Sequence, residues 1–503
     1  MSPFDLSGTS RPRLDALAGN TPPDWLALAC TALLLLPGLV FLLGWAQPWA
    51  AALSGGAGLL ALALSPGWRA GWPLARRTTW LCLLAGLGWA GFTGAAHWLY
   101  ATADWQVRDA VLNDLARFSW PIAYDEEALF LLRAPLGYFL PAALAGSLEG
   151  AQVALWVWTG ASLALVLGLL AGLGRSLGVP SAVLMAGFAL FGGLDLLPNL
   201  WLDWNAGAGA LAAWGRGGEW WNRAFQYPGH VTALLWAPNH AIPAWLCGLL
   251  VLRHGATPGF ARALGLGLAA AAAWSPVAAA GAAVLGGFAV LAAGNARAAL
   301  LSPVNWLAVA FALPTCLYLV AGSNAVPHGW LFLERADGWW RWPLFLLVEV
   351  LPWAVPAWAL LRGRLLLAAA VLLCLLPLYV FGAGNEAASR GSQAALAVLA
   401  VAGIAALWRA PPGPWRAALR AVAVVAALGS LMEASLLVAK EPWEASERCT
   451  VPEAARQSVF RDVTDWSHYL TPWPDLLLQG WMATPHPRPI PLRSPPCWPD
   501  GSV

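Results

Sequence analysis

The stretch Ala101–Pro135, ATADWQVRDAVLNDLARFSWPIAYDEEALFLLRAP, holds six carboxylates: Asp104, Asp109, Asp114, Asp125, Glu126 and Glu127. In a chain that is 11% charged this is a dense group, and apolar segments flank it on both sides. A carboxylate can take a proton from an attacking hydroxyl, provided it is held within hydrogen-bond reach. Burial strengthens such a base by raising its pKa, and a nearby cation opposes that shift. Asp104 is the best placed, a few residues past an apolar run ending near Leu99, where a helix end would hold it at headgroup depth. Asp109 is the next candidate. Asp104, Asp109 and Asp114 are spaced by five. On a helix that spacing turns each about 500° from the last, so they need not converge on one site. Solvation or capping is the alternative role for Asp109 and Asp114. Asp125, Glu126 and Glu127 follow Trp120-Pro121 and fit a solvated turn or a helix start, where acids suit the dipole.

A second set of residues suits an anion or a sugar. Arg390, in NEAASRGS, stands at the start of an apolar run. Arginine at that depth is costly without an anionic partner, and its planar fork matches phosphate oxygens. Ser389 and Ser392 would add hydrogen bonds at a helix N-terminus. Pairing with Glu386, four residues back, is the alternative. Arg341 and Arg335, in ERADGWWRW, are further phosphate candidates that also read as interface anchors. His240, in WAPNHAIPAW, lies between Pro238 and Pro243. Two prolines free backbone carbonyls, which a bilayer tolerates only where protein or water compensates. That implies a buried polar pocket at Asn239 and His240, in which His240 either binds a sugar hydroxyl or bonds a freed carbonyl. Glu219, in GGEWWNR, is a second site acid, with Trp220 or Trp221 able to stack on a sugar. Tyr227 and His230, in FQYPGH, complete the substrate-binding set.

The elements that carry these residues are membrane spans. The chain has 503 residues and is 59% hydrophobic, more than a soluble domain of this size requires. Apolar runs occupy Trp25–Trp45, Ala50–Leu64, Trp80–Leu99, Val153–Leu173, Val179–Leu197, Val231–Leu252, Ala263–Trp274, Val277–Ala293, Trp306–Val320, Pro343–Leu361, Leu365–Val380, Ala394–Leu407 and Ala421–Val438. The expected fold is all-α, a polytopic membrane protein of about thirteen transmembrane helices. The first run is too long, and has too many successors, for a cleavable signal peptide. Pro135–Leu148 is short and proline-bounded, and is expected to lie at or dip into the outer surface. The chain divides into a cytoplasmic stretch 1–23, a membrane domain 24–438 containing the acidic outer loop 101–135, and an outer tail 439–503.

Charge sets the orientation. With Arg11 and Arg13 inside, the inner loops hold Arg69, Arg76, Arg77, Arg175, Arg253, Arg262, Arg297, Arg362, Arg364, Arg409, Arg416 and Arg420, and no acid. Acids between the first and last spans fall outside or near the outer ends, among them Glu149, Asp195, Asp203, Glu219, Glu334, Asp337, Glu349, Glu386 and Glu433. Longer polar outer loops account for this segregation, and so does an active site on the outer face. The 34 tryptophans fit membrane interfaces, with sugar stacking as the alternative. Cys30, Cys82, Cys247, Cys316 and Cys374 lie in apolar runs, whereas Cys449 and Cys497 share the tail and can pair if it lies outside the cytoplasm. No Walker loop, HExxH or zinc-spaced Cys/His cluster is present. The inner loops are too short for a nucleotide-binding domain, which argues against a nucleotide donor and an ATP-driven pump. A net charge of +2 gives no sign of a nucleic-acid partner.

The layout resembles the GT-C superfamily of membrane glycosyltransferases, which includes lipid A aminoarabinose transferases and protein mannosyltransferases. The matching residues are Asp104 in ADWQVRD, at the start of the first large outer loop, and Pro135, Leu136 and Tyr138 in APLGYF after it. The chain departs from the Asp-Glu dipeptide of several members, because Trp105 follows Asp104. The resemblance implies transfer of a sugar from a polyprenyl-phosphate donor to an envelope glycan, lipid or protein acceptor. It places that reaction at the outer face of a bacterial inner membrane, with the N-terminus cytoplasmic and the C-terminus periplasmic or extracytoplasmic. Asp104 would be the general base, Arg390 or Arg341 would hold the donor phosphate, and membrane lipids would surround the site. No cofactor is required by the sequence, although paired acids leave room for a divalent metal. A lipid-linked polysaccharide polymerase or ligase is the alternative. A transporter is disfavoured by the absence of an internal repeat and by acids gathered outside the membrane rather than at its centre.

Overall fold

The computed structural model describes Phe4 and residues 24–65, 74–126, 128–209, 212, 214–382, 384–459, 469–490 and 494–498. Arg11, Arg13, Arg69, Glu127 and residues 460–468 of the tail lie outside the described residues. The chain is mostly helical, and helix is found within every apolar run named above. Trp25–Trp45, Leu148–Leu177, Pro303–Val320 and Pro414–Ala439 are long and apolar enough to cross a bilayer. Gly338–Glu349 and Leu351–Leu361, bent by 54°, make a fifth such unit if taken together. Pro48–Ala63, Pro276–Ala292, Arg364–Leu378 and Gln393–Arg409 are apolar but shorter.

Helix ends follow local chemistry. Proline opens Pro48–Ala63, Pro276–Ala292, Pro303–Val320 and Pro414–Ala434, where its missing N–H would have had no partner. The run Val231–Leu252 is two helices, His230–Trp236 and Pro238–His254, parted at Ala237. The run Trp80–Leu99 leaves helix after Ala90, where the Thr93 hydroxyl donates to the Ala90 carbonyl at 2.8 Å and His97 takes a left-handed φ of 52°. Gln393–Arg409 is buried from Gln393 through Ala406. It packs among Ser181–Ala189, Pro238–His254, Pro276–Ala292, Leu351–Leu361 and Arg364–Leu375. A helix apolar on every side belongs in the interior, and its alanines let neighbouring backbones approach closely. Leu43, Leu53, Leu84, Leu291 and Trp306 are among the large side chains left exposed, as lipid contact allows.

A few short strands accompany the helices. Leu470–Pro472, Leu129–Leu132, Ile122–Asp125 and His486–Pro489 form a four-stranded sheet in that order. Ile122–Asp125 and Leu129–Leu132 are an antiparallel hairpin, and Asp125 and Glu126 stand exposed at its turn. The tail supplies both edges, parallel at His486–Pro489 and antiparallel at Leu470–Pro472. Pro487 and Pro489 are tolerated there because an edge strand can forgo a donor. Trp105–Arg117 is buried from Trp105 through Leu115, since the tail helix Val451–Gln457 packs over it. Pro135–Leu148 holds one helical turn, Leu140–Ala143, packed against Leu148–Leu177. Cys449 and Cys497 form a disulfide that closes the tail on itself.

Candidate functional site

The break at Ala237 organises the site. The helix His230–Trp236 ends there, so the Leu235 and Trp236 carbonyls of its last turn need donors from elsewhere. The segment 102–108 provides them. Thr102 Oγ1 and Trp105 Nε1 donate to the Leu235 oxygen at 3.2 and 3.0 Å, and Arg108 Nη1 donates to the Trp236 oxygen. The indole reaches its partner because Gly94 has no side chain, and a Cβ there would lie 2.2 Å from Trp105 Nε1. These bonds fix the first turn of Trp105–Arg117. Asp104 stands at its N-cap, with Oδ2 3.1 Å from Arg108 Nη2. The Asp104 side chain is 31% exposed, while that of Arg108 is 9% exposed and lies over the Trp105 ring. A carboxylate reachable from outside is thus held by a cation that is itself buried and anchored.

Just past the break, His240 Nδ1 lies 2.7 Å from Ser275 Oγ, and Asn239 Nδ2 lies 3.2 Å from His240 Nε2. Ser275 caps Pro276–Ala292, accepting from the Ala278 N–H. Asn239 and His240 are therefore buried in a small polar cluster with Ser275. Asn239 Oδ1 is buried and bonded to no described residue. Helix Glu386–Gly391 packs closely on Pro276–Ala292: a Cβ at Gly281 would lie 1.9 Å from the Gly391 oxygen. This brings Arg390 to the same place. Its guanidinium is 3.8 Å from Glu386, too far for a hydrogen bond, so its N–H groups are not consumed by that pair. Arg390 and Arg108 both act electrostatically on His240. Asp104, Arg108, Glu386 and Arg390 all act on Tyr469 at the start of a tail strand. Asp104 is thus tied to the helix break through Arg108, which sequence reading did not single out, and Arg108 and Arg390 both act electrostatically on His240 just past that break. The i to i+4 spacing from Asp104 was a signal for Arg108.

Asp109 and Asp114 are not part of this group, as their spacing around the helix foretold. Asp109, 2% exposed, is corrected from candidate base to the buried partner of His97, at 2.8 Å from Nε2. His97 Nδ1 faces the Trp443 carbonyl at 2.9 Å, so both ring nitrogens meet acceptors. Burial works against a charged imidazole, but Asp109 and the Trp443 carbonyl outweigh it and raise the His97 pKa. Asp114 accepts from Tyr124 Oη at 2.6 Å and from the Val451 N–H at 2.9 Å, pinning the hairpin and the tail to the helix. Its burial pushes the carboxyl up to about 7, against those two bonds.

Glu219 belongs to a separate knot of buried acids with Asp195, Glu349 and Glu433. Trp221 Nε1 donates to Asp195 Oδ1 at 3.0 Å and to Glu349 Oε1 at 2.9 Å. Glu219 Oε1 accepts from the Gly229 N–H at 2.7 Å and from Thr232 Oγ1 at 2.8 Å, and Glu433 Oε1 accepts from the N–H groups of Gly218 and Glu219. Burial, with Asp195 and Glu433 nearby, holds the Glu219 pKa well above its usual range. The knot ties the segment 195–230 to the bend at Val350 and to the end of Pro414–Ala434, which is a structural role. Trp236 separates it from the first group, giving its carbonyl to Arg108 and its side chain to Glu433. Trp220 is exposed at the surface. Tyr227 and His230 are sequestered, and this corrects their assignment to substrate. Tyr227 Oη donates to the Leu373 carbonyl, and His230 Nδ1 bonds the Phe188 carbonyl at 2.6 Å among Phe188, Phe191 and Trp245. Arg341 is held by Asp337 at 2.5 Å and by the Asn222 carbonyl, so it braces two outer segments. Comparison of the chain with family models, curated proteins and solved structures returns no match.

Proposed function

We propose that this chain is a GT-C-like membrane glycosyltransferase, which moves a sugar from a polyprenyl-phosphate donor to a hydroxyl of an envelope glycan, lipid or protein. In this reading about thirteen helical segments cross a bacterial cytoplasmic membrane, the shorter ones where protein surrounds them. The N-terminus is inside, and the loop and tail face outward. The disulfide Cys449–Cys497 supports an oxidising location for the tail.

The observation that carries the reading is Asp104 paired with Arg108 at the helix break, next to the buried Asn239–His240 pair on which Arg108 and Arg390 both act electrostatically. Each part has a task in the transfer. Asp104 takes the proton of the acceptor hydroxyl as its oxygen attacks the anomeric carbon. The bond from that carbon to the phosphate oxygen breaks, its electron pair stays on the oxygen, and the polyprenyl phosphate departs with one more negative charge. Arg390 and Arg108 face that growing charge, and guanidinium forks suit phosphate oxygens. Asn239 Oδ1 is a buried acceptor suited to a sugar hydroxyl.

Asp104→Asn tests the assignment in purified protein, with transfer of labelled sugar from polyprenyl phosphate as the readout. Loss of a general base lowers the rate by roughly 10²-fold or more. A folded variant with that deficit supports the reading; a folded variant with full activity removes Asp104 from the chemistry.

A further inference from the structure

We infer that Asn385 and Glu386, one helical turn before Arg390, hold the sugar of the donor: the Asn385 side-chain N–H donates to one of its hydroxyls, and the Glu386 carboxylate accepts from another. This rests on the function proposed above, and names what the site takes beside the phosphate: a neutral hexose or pentose with free hydroxyls.

The first support is two polar atoms on consecutive residues. Asn385 opens helix Glu386–Gly391 in a left-handed conformation, φ 50°, which asparagine tolerates better than most side chains. Its Oδ1 accepts from the Ala388 N–H at 3.4 Å. An amide whose oxygen is committed to the helix start presents its nitrogen the other way. That side chain is buried, and Nδ2 bonds to no described residue. Glu386 folds back on the same turn, so that a Cβ at Gly382 would lie 1.6 Å from its Oε2. Oε2 is buried too, and bonds to no described residue. A helix cap uses only Oδ1 of Asn385, and the approach of Glu386 to Arg390 uses only Oε1. Nδ2 and Oε2 serve neither purpose, and a buried donor or acceptor without a partner is destabilising. A sugar hydroxyl, which both donates and accepts, satisfies either. The carboxylate turns away the phosphate itself, since two anions would be opposed.

The second support is placement. Glu386 and Arg390 are partly exposed, with the guanidinium 3.8 Å from Oε1. The carboxylate thus stands between the guanidinium and the inside of the turn, and a phosphate on Arg390 sets its sugar against Glu386. The third is rigidity. The Gly382 N–H donates to the Pro327 carbonyl at 2.8 Å, and the Asn385 N–H to the Gly382 carbonyl at 3.2 Å. Tyr379–Phe381, just before, pairs with His328–Trp330, and Gly391, at the other end, is packed on Gly281. A turn braced at both ends keeps its polar groups in place, as recognition requires.

The test is binding to the full chain in nanodiscs of undecaprenol, undecaprenyl phosphate, and undecaprenyl phosphates carrying glucose, mannose, galactose or arabinose. The proteins are the wild type, Asn385→Gly, Glu386→Gln and Arg390→Gln. Glycine keeps the left-handed turn at little cost to the helix start, and glutamine keeps the size of glutamate. The wild type is expected to bind at least one sugar lipid more tightly than the bare phosphate. That preference, read as a ratio, is expected to fall about fivefold in Asn385→Gly and about tenfold in Glu386→Gln, where the bond is charge-assisted. Retained binding of the bare phosphate shows that both variants are folded. Arg390→Gln is expected to weaken both kinds of phosphate lipid and keep the ratio. An unchanged ratio in either Asn385→Gly or Glu386→Gln, or a wild type that prefers no sugar lipid to the bare phosphate, would overturn the inference and leave the proposed function standing. A wild type that does not bind undecaprenyl phosphate in preference to undecaprenol would overturn both.

Discussion

Asp114 sets a pH dependence on the junction between the outer loop and the tail. The carboxyl is fully buried, and its pKa rises from 3.8 to about 7 in the folded protein, mainly through burial. Glu453 pushes it in the same direction; Tyr124, the Val451 N–H and Arg117 oppose. The folded state therefore holds this proton over a pH range in which the unfolded chain has lost it. The stabilisation is complete below about pH 4 and is lost as pH rises through about 7. At 1.36 kcal/mol per pH unit, the interval corresponds to about 4 kcal/mol. Hydrogen exchange reads it directly, because the Val451 amide is bonded to Asp114 Oδ2. Between pH 5 and 8, after correction for intrinsic rates, protection across Val451–Gln457 is expected to fall in the wild type. In Asp114→Asn, whose amide is isosteric and does not titrate, that fall is expected to vanish, with more protection than the wild type at pH 8. The same slope in both proteins, or no slope in the wild type, would refute the reasoning.

Replacing both Cys449 and Cys497 by serine opens a loop of 48 positions, and chain entropy puts the loss at about 4 kcal/mol for the tail unit. Limited proteolysis is expected to cut the variant within the tail under conditions that leave the wild type whole. Gly281→Ala would place a Cβ 1.9 Å from the Gly391 oxygen and push away the turn that carries Arg390, while Gly287→Ala on the same helix has open space. The first is expected to lose about 1–3 kcal/mol and to weaken donor binding; the second is the neutral control, and thermal unfolding separates them.

Much of the helical frame was legible. Trp25–Trp45 is uninterrupted apolar sequence, and its helix has those bounds. The pair Pro238 and Pro243 pointed to buried polar groups around Asn239 and His240, and these two side chains are buried and hydrogen-bonded. Which groups would satisfy the Leu235 and Trp236 carbonyls was not legible, because Thr102, Trp105 and Arg108 lie more than a hundred positions upstream. That Asp109 and Asp114 are buried was not legible for the same reason: the elements that cover them, around Trp443 and Val451, come from the tail. The sheet escaped notice because strands of three or four residues, paired across most of the chain, leave little periodic signal. The knot of Asp195, Glu219, Glu349 and Glu433 joins four distant segments, and nothing local in the sequence pairs these acids with one another. The two tail cysteines had a single possible mutual pairing, which the structure contains.

Photo-crosslinking with a polyprenyl phosphate that carries a diazirine near its phosphate asks directly where the donor headgroup sits. Labelled peptides are expected around Asp104–Arg108 and Glu386–Arg390, with loss of that labelling when unlabelled undecaprenyl phosphate competes. Labelling confined to the segment 195–230 or to other surfaces, with both regions unmarked, would contradict the proposed function.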